Sequence, residues 1–334
     1  MSAPSTSAPH ASAPSTDAPR SEAEPAREAR PAAERRWEGR RRGGRLGNAF
    51  FARASRSAIG RALTPFCLFW TVLYFLAFAP CGRRVSFDLA RRVGRGGSLL
   101  AGLRFSFRHF YVYGAMLIER LALLGGQEDC FRIDKVGEEG MRAALEEGKG
   151  LLLLTCHLGN WEVMAQCLSC IDAPVTLVMY DGVQPRVKAA LEELSQARSF
   201  DVLYTDGGPA SAAGILAALR RGSIVGMMAD RTLAGRGVEL DFLGGRATFP
   251  VGPYTIAAAS GAPAFQAFAI RRAPYAYEFS AFPWGELRYT DRRRKEADLE
   301  QWAGVFAERL EDFTRRHPEQ WGNLYEFWLE PSES

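Results

Sequence analysis

His157 follows directly on an unbroken apolar run in "LLLLTCHLGNWEVMAQ" (151–166), and Glu162 stands five positions beyond it. Imidazole is the side chain whose charge changes nearest neutral pH. A carboxylate that accepts one ring N–H fixes the tautomer and leaves the other ring nitrogen basic, which is what removing a proton from an alcohol requires. Gly159 allows the chain to turn and Asn160 is an acceptable helix N-cap, so the carboxylate of Glu162 is expected to fold back toward the imidazole. The pair alone is suggestive only, because a histidine at a strand end is often satisfied by a backbone carbonyl.

The surrounding pattern says what must hold that histidine. From about residue 131, short apolar runs alternate with helical stretches: "GLLLLTC" (150–156), a helix near 160–170, "PVTLVMY" (174–180), a helix near 186–198, "DVLY" (201–204), a helix near 210–221 and "SIVGMMAD" (223–230). Then "VELDFLGG", "APAFQAFAI" and "YAYEFSAF" read as further strands, and "ADLEQWAGVFAERLEDFTRRHP" as a closing amphipathic helix. Apolar strands separated by helices indicate βαβ units. The expected fold is α/β, a mixed, largely parallel sheet flanked by helices, with an N-terminal helical, membrane-associating layer. In such a sheet the loop after a buried strand opens at the carboxyl edge, where ligands collect, and His157 falls there.

The front of the chain differs. Residues 1–129 carry 20 Arg, no Lys and 10 Asp/Glu, a balance of +10, which leaves the remainder at −6 within a net charge of +4. Residues 1–36 are rich in Ala, Ser and Pro, too poor in apolar surface to offset the entropy of ordering, and lack a secretory signal pattern. An arginine-rich stretch with interleaved Trp37, Leu46, Phe50 and Phe51 suits an anionic membrane surface. Residues 62–82 contain no charge, enough as a helix to reach roughly 31 Å. Pro65 and Pro80 are expected to trim the uninterrupted part to 14 residues, so surface anchoring, a true span and a buried helix all stay open. Arginines on both flanks choose no orientation. Residues 83–126 read as helices ended by Gly125 and Gly126. The expected division is a tail (1–36), a basic and apolar helical region (37–126) and an α/β domain (127–330).

Several chemistries lack their defining patterns. No G-x4-G-K-[ST], G-x-S-x-G or H-E-x-x-H occurs. Cys167 and Cys170 form the one CxxC, inside an expected helix and without a second ligand pair, so no metal site is expected. His109 and His317 are read as helix-surface residues, and His10 lies in the tail. A nucleic-acid role would need a basic folded domain, whereas the chain is net acidic after residue 129.

"HLGNWE" resembles the His-x4-acidic signature of the glycerolipid and lipid A acyltransferases, in the variant of the bacterial lipid A biosynthesis late acyltransferase family. "GMMADRTLAGRGVELDFLGGRATFPVGPYTIAAASGAPAF" (226–265) looks like that family's second block, and residues 37–126 are similar to its front, so the likeness covers roughly 37–328. The ending "HPEQWGNLYEFWLEP" is instead similar to the subgroup attached to aryl-polyene and related glycolipid pathways, which leaves the acceptor open between lipid A and another glycolipid.

The resemblance implies transfer of a fatty acyl group from a thioester, on acyl carrier protein or CoA, to a hydroxyl of a lipid or glycolipid precursor. It places the protein at the bacterial inner membrane with its catalytic domain on the cytoplasmic face, and calls for no cofactor. His157 would be the general base oriented by Glu162, with Asn160 and backbone N–H groups near Gly159 as oxyanion donors. Arg231, just after a strand at the same sheet edge, is read as a phosphate holder or as the partner of Asp230 or Asp241. Phe249, Pro250 and Gly252 shape the acceptor pocket or make a turn; Arg236 and Arg246 are read as solvated charges. A catalytically silent lipid-binding scaffold is the competing reading, which intact His157 and Glu162 disfavour.

Overall fold

The computed structural model describes residues 47, 50–51, 53–54, 57–168, 171–180, 200–205, 208–232 and 237–329. The tail, the helix expected near 186–198, Cys170 and Arg236 lie outside the described residues.

The sheet is built around the apolar run that precedes His157. Strand β2 (Leu151–Thr155) is buried at all five positions and lies in the order β1-β9-β8-β2-β5-β3-β4, where β1 is Arg132–Val136, β3 Val175–Tyr180, β4 Phe200–Thr205, β5 Ile224–Met228, β8 Pro263–Ala273 and β9 Ala276–Glu286. β2 pairs parallel with β5 and β8, β3 with β4 and β5, and β1 with β9; β8 and β9 form the antiparallel pair. A central strand is covered on both faces, so its sequence is a continuous apolar run rather than an alternation. Its side chains divide by parity: Leu152 and Leu154 join one core cluster, Leu151 and Leu153 the other.

Helices cover both faces. On the first, α6 (Pro209–Arg220), α7 (Gly252–Ser260) and α8 (Lys295–Arg316) bring Ile215, Tyr254, Phe306 and Phe313 onto the sheet. The Phe313 ring stacks on Phe268 of β8 at 4.1 Å. On the second face, α4 (Glu138–Leu145) and α5 (Trp161–Leu168) contribute Met141, Met164 and Leu168. The strand expected in "VELDFLGG" (238–245) does not join the main sheet: β6 (Gly237–Phe242) and β7 (Gly245–Pro250) form a separate antiparallel hairpin.

The helical front consists of α1 (Ala58–Phe78), α2 (Pro80–Arg92) and α3 (Leu99–Leu124). Contrary to expectation, Pro65 does not shorten α1, which runs unbroken through it; Pro80 opens α2, where a missing N–H costs nothing. Thr64, Leu68 and Val72, spaced four apart, form the buried stripe of α1, and Leu68 and Val72 pack with Ala115 and Ile118 of α3. Gly114 gives Leu68 room to approach: a Cβ there would overlap its Cδ1. Among the described residues α1 is the one helix long and apolar enough to cross a membrane. Its other face, with Phe66, Trp70, Tyr74 and Phe78, stays exposed.

Candidate active site

Sheet register alone delivers the first pair of functional groups. β2 and β5 run parallel with Leu151 opposite Ile224 and Thr155 opposite Met228, and the ladder continues with the Ala229 N–H donating to the Thr155 carbonyl at 2.9 Å. Two residues past each strand end, the same offset sets His157 beside Asp230. The imidazole Nδ1–H donates to Asp230 Oδ1 at 2.8 Å, and the His157 backbone N–H donates to Oδ2 at 2.9 Å. The carboxylate thus grips the residue at two points, fixing both ring and loop. After β2 the chain crosses to β3 on one side, and after β5 it crosses to β8 on the other. The dyad therefore stands at a topological switch point of the sheet, the crevice where α/β folds take ligands.

The electrostatics suit a base. Asp230 is fully buried, whereas the His157 side chain is 24% exposed. Nδ1 is bound to the buried carboxylate, and no group among the described residues hydrogen-bonds to Nε2 of this partly exposed side chain. Burial lowers the pKa of His157, and the nearby charge of Arg231 lowers it further. The attraction and hydrogen bond of Asp230 oppose both without cancelling them. For Asp230 burial acts upward, yet His157 and Arg231 outweigh it and hold the carboxyl below the usual aspartate range. At neutral pH the site therefore holds an ionised Asp230 and a neutral imidazole, protonated at Nδ1, with its lone pair on Nε2.

Glu162, the expected orienting carboxylate, lies elsewhere. It sits buried in the first turn of α5 and pairs with Arg120 of α3 at 2.8 Å, while Arg120 also lies over the Trp161 ring. Burial pushes its pKa up, with Arg120 opposing. Its contribution is to tie the helix after the His157 loop to the helical front. The correction follows from geometry: Glu162 lies in the first turn of α5 and is held by Arg120 of α3, whereas Asp230 stands one strand over, at the same offset past β5 as His157 past β2.

The expected oxyanion donors are also committed. Asn160 Nδ2 donates to the Met116 carbonyl and to Tyr277 Oη, the Asn160 N–H donates to the Ala269 carbonyl, and the Gly159 N–H donates to the Gln320 carbonyl. Gly159 has φ 78°, and a Cβ there would drive into the Ala269 carbonyl oxygen, so these residues fix the loop against β8. Arg231 pairs with neither Asp230 nor Asp241. Its Nε donates to Asn323 Oδ1 at 2.5 Å, its Nη2 to the Gly322 carbonyl at 3.2 Å, and Tyr325 packs beneath it at 5.2 Å. Phe249 is buried in the aromatic core with Phe242 and Phe327 and lines no open surface; Pro250 ends β7, and Gly252 opens α7 on the exterior. Arg246 is exposed, as expected, beside Glu239 and Asp241. No cluster of metal-ligating side chains occurs among the described residues.

His109 departs most from its expected place on a helix surface. It is wholly buried, its Nε2–H donating to the Trp321 carbonyl at 2.9 Å and its Nδ1 accepting from Ser86 Oγ at 3.0 Å. This histidine anchors the segment after α8, which the sequence reading left without a role. That segment runs along the His157 loop: Leu158 bridges Trp321, and the Gly322 N–H donates to the His157 carbonyl at 2.6 Å. Gln320 braces β8 through both Arg271 backbone groups. Behind the loop, Glu119 of α3 accepts two-pronged bonds from Arg271 and a bond from the Tyr277 hydroxyl.

A partly exposed imidazole, bonded at Nδ1 to a buried carboxylate at a sheet switch point, has the arrangement that a general base would need. The chain belongs to the bacterial lipid A biosynthesis acyltransferase family, whose profile matches residues 108–330. Phosphatidylinositol mannoside acyltransferase of Mycobacterium tuberculosis (strain ATCC 25618 / H37Rv) is 27% identical over 213 residues, 63% of this chain and 65% of the relative. The protein of that name from Mycolicibacterium smegmatis is 27% identical over 207 residues, 62% of this chain and 64% of the relative. The chain thus matches just under two thirds of the length of these relatives.

Proposed function

We propose that the protein is a membrane-associated O-acyltransferase that moves a fatty acyl group from a thioester, on acyl carrier protein or CoA, to a hydroxyl of a glycolipid. The acceptor hydroxyl donates to Nε2 of His157. As its oxygen attacks the thioester carbonyl carbon, Nε2 takes the proton. The tetrahedral intermediate then collapses, the C–S bond breaks, and the imidazolium returns the proton to the leaving sulfur, giving ester and thiol. Asp230 keeps the ring in the tautomer that makes this exchange possible; base catalysis of this kind is worth about 10²- to 10⁴-fold. The charge of Arg231 beside the imidazole favours the developing oxyanion or a phosphate on the donor. Glu162 holds the loop through Arg120. The helices α1 to α3 seat the α/β domain on the cytoplasmic face of the inner membrane, where acyl thioesters are made.

The observation that carries this reading is the His157–Asp230 pair with Nε2 open, in a chain of an acyltransferase family. A glycolipid acceptor is supported by the relatives' printed activity. The test is mass spectrometry of membrane lipids from cells with the protein, without it, and with His157→Ala. An ester-bearing glycolipid present only with the unaltered chain supports the proposal; identical lipid profiles in all three would dismiss it.

A further inference from the structure

We infer that Asn323 is a positioning residue that keeps Arg231 off the Asp230 carboxylate, so that Asp230 serves His157. The inference rests on the reading of His157 as the base. Asn323 is 1% exposed and is hydrogen-bonded at both ends of its amide. Nδ2 donates to Asp230 Oδ2 at 3.3 Å, and Oδ1 accepts from Arg231 Nε at 2.5 Å. An amide has one donating and one accepting end, and here each meets the partner of matching polarity.

The need for such a spacer follows from chain geometry. Asp230 and Arg231 are consecutive, and a buried carboxylate beside a guanidinium would ordinarily pair with it, often with two hydrogen bonds. A carboxylate so paired is a weaker acceptor for an imidazole N–H. Asn323 takes the Nε edge of the guanidinium, the neighbouring Gly322 carbonyl takes Nη2, and Asp230 is left to bond the ring, the backbone of His157 and Asn323 itself.

The segment bearing Asn323 is fixed independently of it. The Gly322 N–H is held by the His157 carbonyl, the Trp321 carbonyl by His109, and the Gln320 carbonyl by the Gly159 N–H. The amide is thus delivered by backbone contacts made on either side of the catalytic loop. The charged groups acting on the imidazole are Asp230 and Arg231, whereas the Cys156 thiol and Tyr254 hydroxyl, both within electrostatic reach of Asp230, are kept neutral by burial.

The test is the titration of the His157 ring, followed by NMR of the full chain labelled at histidine, in detergent micelles, with His157→Ala to assign its signal. In Asn323→Leu the released guanidinium competes for Asp230, and the midpoint falls by at least about half a pH unit. Adding Arg231→Gln removes the competitor and raises the midpoint by more than Arg231→Gln alone raises it in the unaltered chain, an excess that loosened packing would not give. Asn323→Asp, nearly isosteric and informative should the leucine variant not fold, raises the midpoint by adding a carboxylate near the ring. An unmoved midpoint in Asn323→Leu, a double variant raised no further than Arg231→Gln alone raises the unaltered chain, or an unmoved midpoint in Asn323→Asp overturns the role of Asn323. Asp230→Asn separates the two readings: if it leaves the midpoint unchanged, the dyad itself is at fault rather than the spacer.

Discussion

At the scale of single residues, the proposed functional unit is an imidazole with its carboxylate, and its behaviour with pH has a definite sign. On the proposed mechanism, turnover requires neutral His157. Because burial and Arg231 lower its pKa below the ordinary value of about 6.5, the acid limb of kcat/KM has its midpoint below that value. Asp230→Asn removes the interactions that oppose this lowering, so the midpoint moves to still lower pH. The rate at pH 7 nevertheless falls by about 10²-fold or more, because the ring is no longer held in its working tautomer. Acyl transfer from a radiolabelled acyl-CoA into extracted membrane lipids, measured across pH, checks both; a limb above 6.5 in the unaltered chain contradicts the assignment. His157 was legible in the sequence because an apolar strand followed by histidine and glycine is a local pattern. Its partner was not: Glu162 is the nearest acid along the chain, whereas Asp230 is brought near by a parallel register that appears only when β2 and β5 are paired.

At the scale of elements, the question is what holds the loop between β2 and α5 still. Gly159 is the hinge of that loop, in a left-handed conformation against the Ala269 carbonyl. Gly159→Ala adds the left-handed penalty of about 1–2 kcal/mol and a backbone overlap that must displace the loop or β8. The expected outcome is a lowered thermal midpoint together with loss of acyl transfer even at temperatures where the protein stays folded. Beneath the loop, Leu153→Ala in the fully buried β2 should cost about 2–5 kcal/mol and leave the site intact in whatever fraction folds. Urea unfolding followed by intrinsic fluorescence, set beside activity per folded molecule, separates the two: position for Gly159, stability for Leu153. The strands and helices themselves were readable, since β2, β3, β5 and α8 carry strong local apolar patterns. The strand in "VELDFLGG" is legible from its alternation, which says nothing about its partner, and Gly245–Pro250, which pairs with it, carries no strand signal in the sequence reading. The brace at 320–323 carried no periodic signal, because its function is to supply backbone groups and one amide to distant residues.

At the scale of the whole molecule, the arrangement of α1 sets how the domain meets its substrate. The buried stripe Thr64, Leu68 and Val72 already satisfies the packing against α3, so the opposite face is not needed for the fold. That face is nonetheless aromatic: Phe66, Trp70 and Phe78 are 65%, 57% and 72% exposed, with Tyr74 between them, at the spacing of one helical stripe. Contiguous apolar surface of this kind on a folded chain marks an interaction site, and tryptophan and tyrosine favour the membrane interface. If the acceptor lies in a bilayer, as proposed, the enzyme has use for that contact, and the arginines of the front would add attraction for anionic headgroups at about 1 kcal/mol each. Replacing Phe66, Trp70 and Tyr74 together by Ser should therefore lower partitioning onto phosphatidylglycerol vesicles by about 10²-fold or more while leaving the thermal midpoint nearly unchanged, since none of the three is buried. Vesicle flotation measures this directly. If arginine attraction supplies most of the affinity, the unaltered chain floats with phosphatidylglycerol in low salt and is released in high salt. If the aromatic face supplies it, flotation persists in high salt and on neutral phosphatidylcholine. Equal flotation of the triple variant and the unaltered chain under all these conditions would mean that α1 turns its aromatic face to something other than lipid.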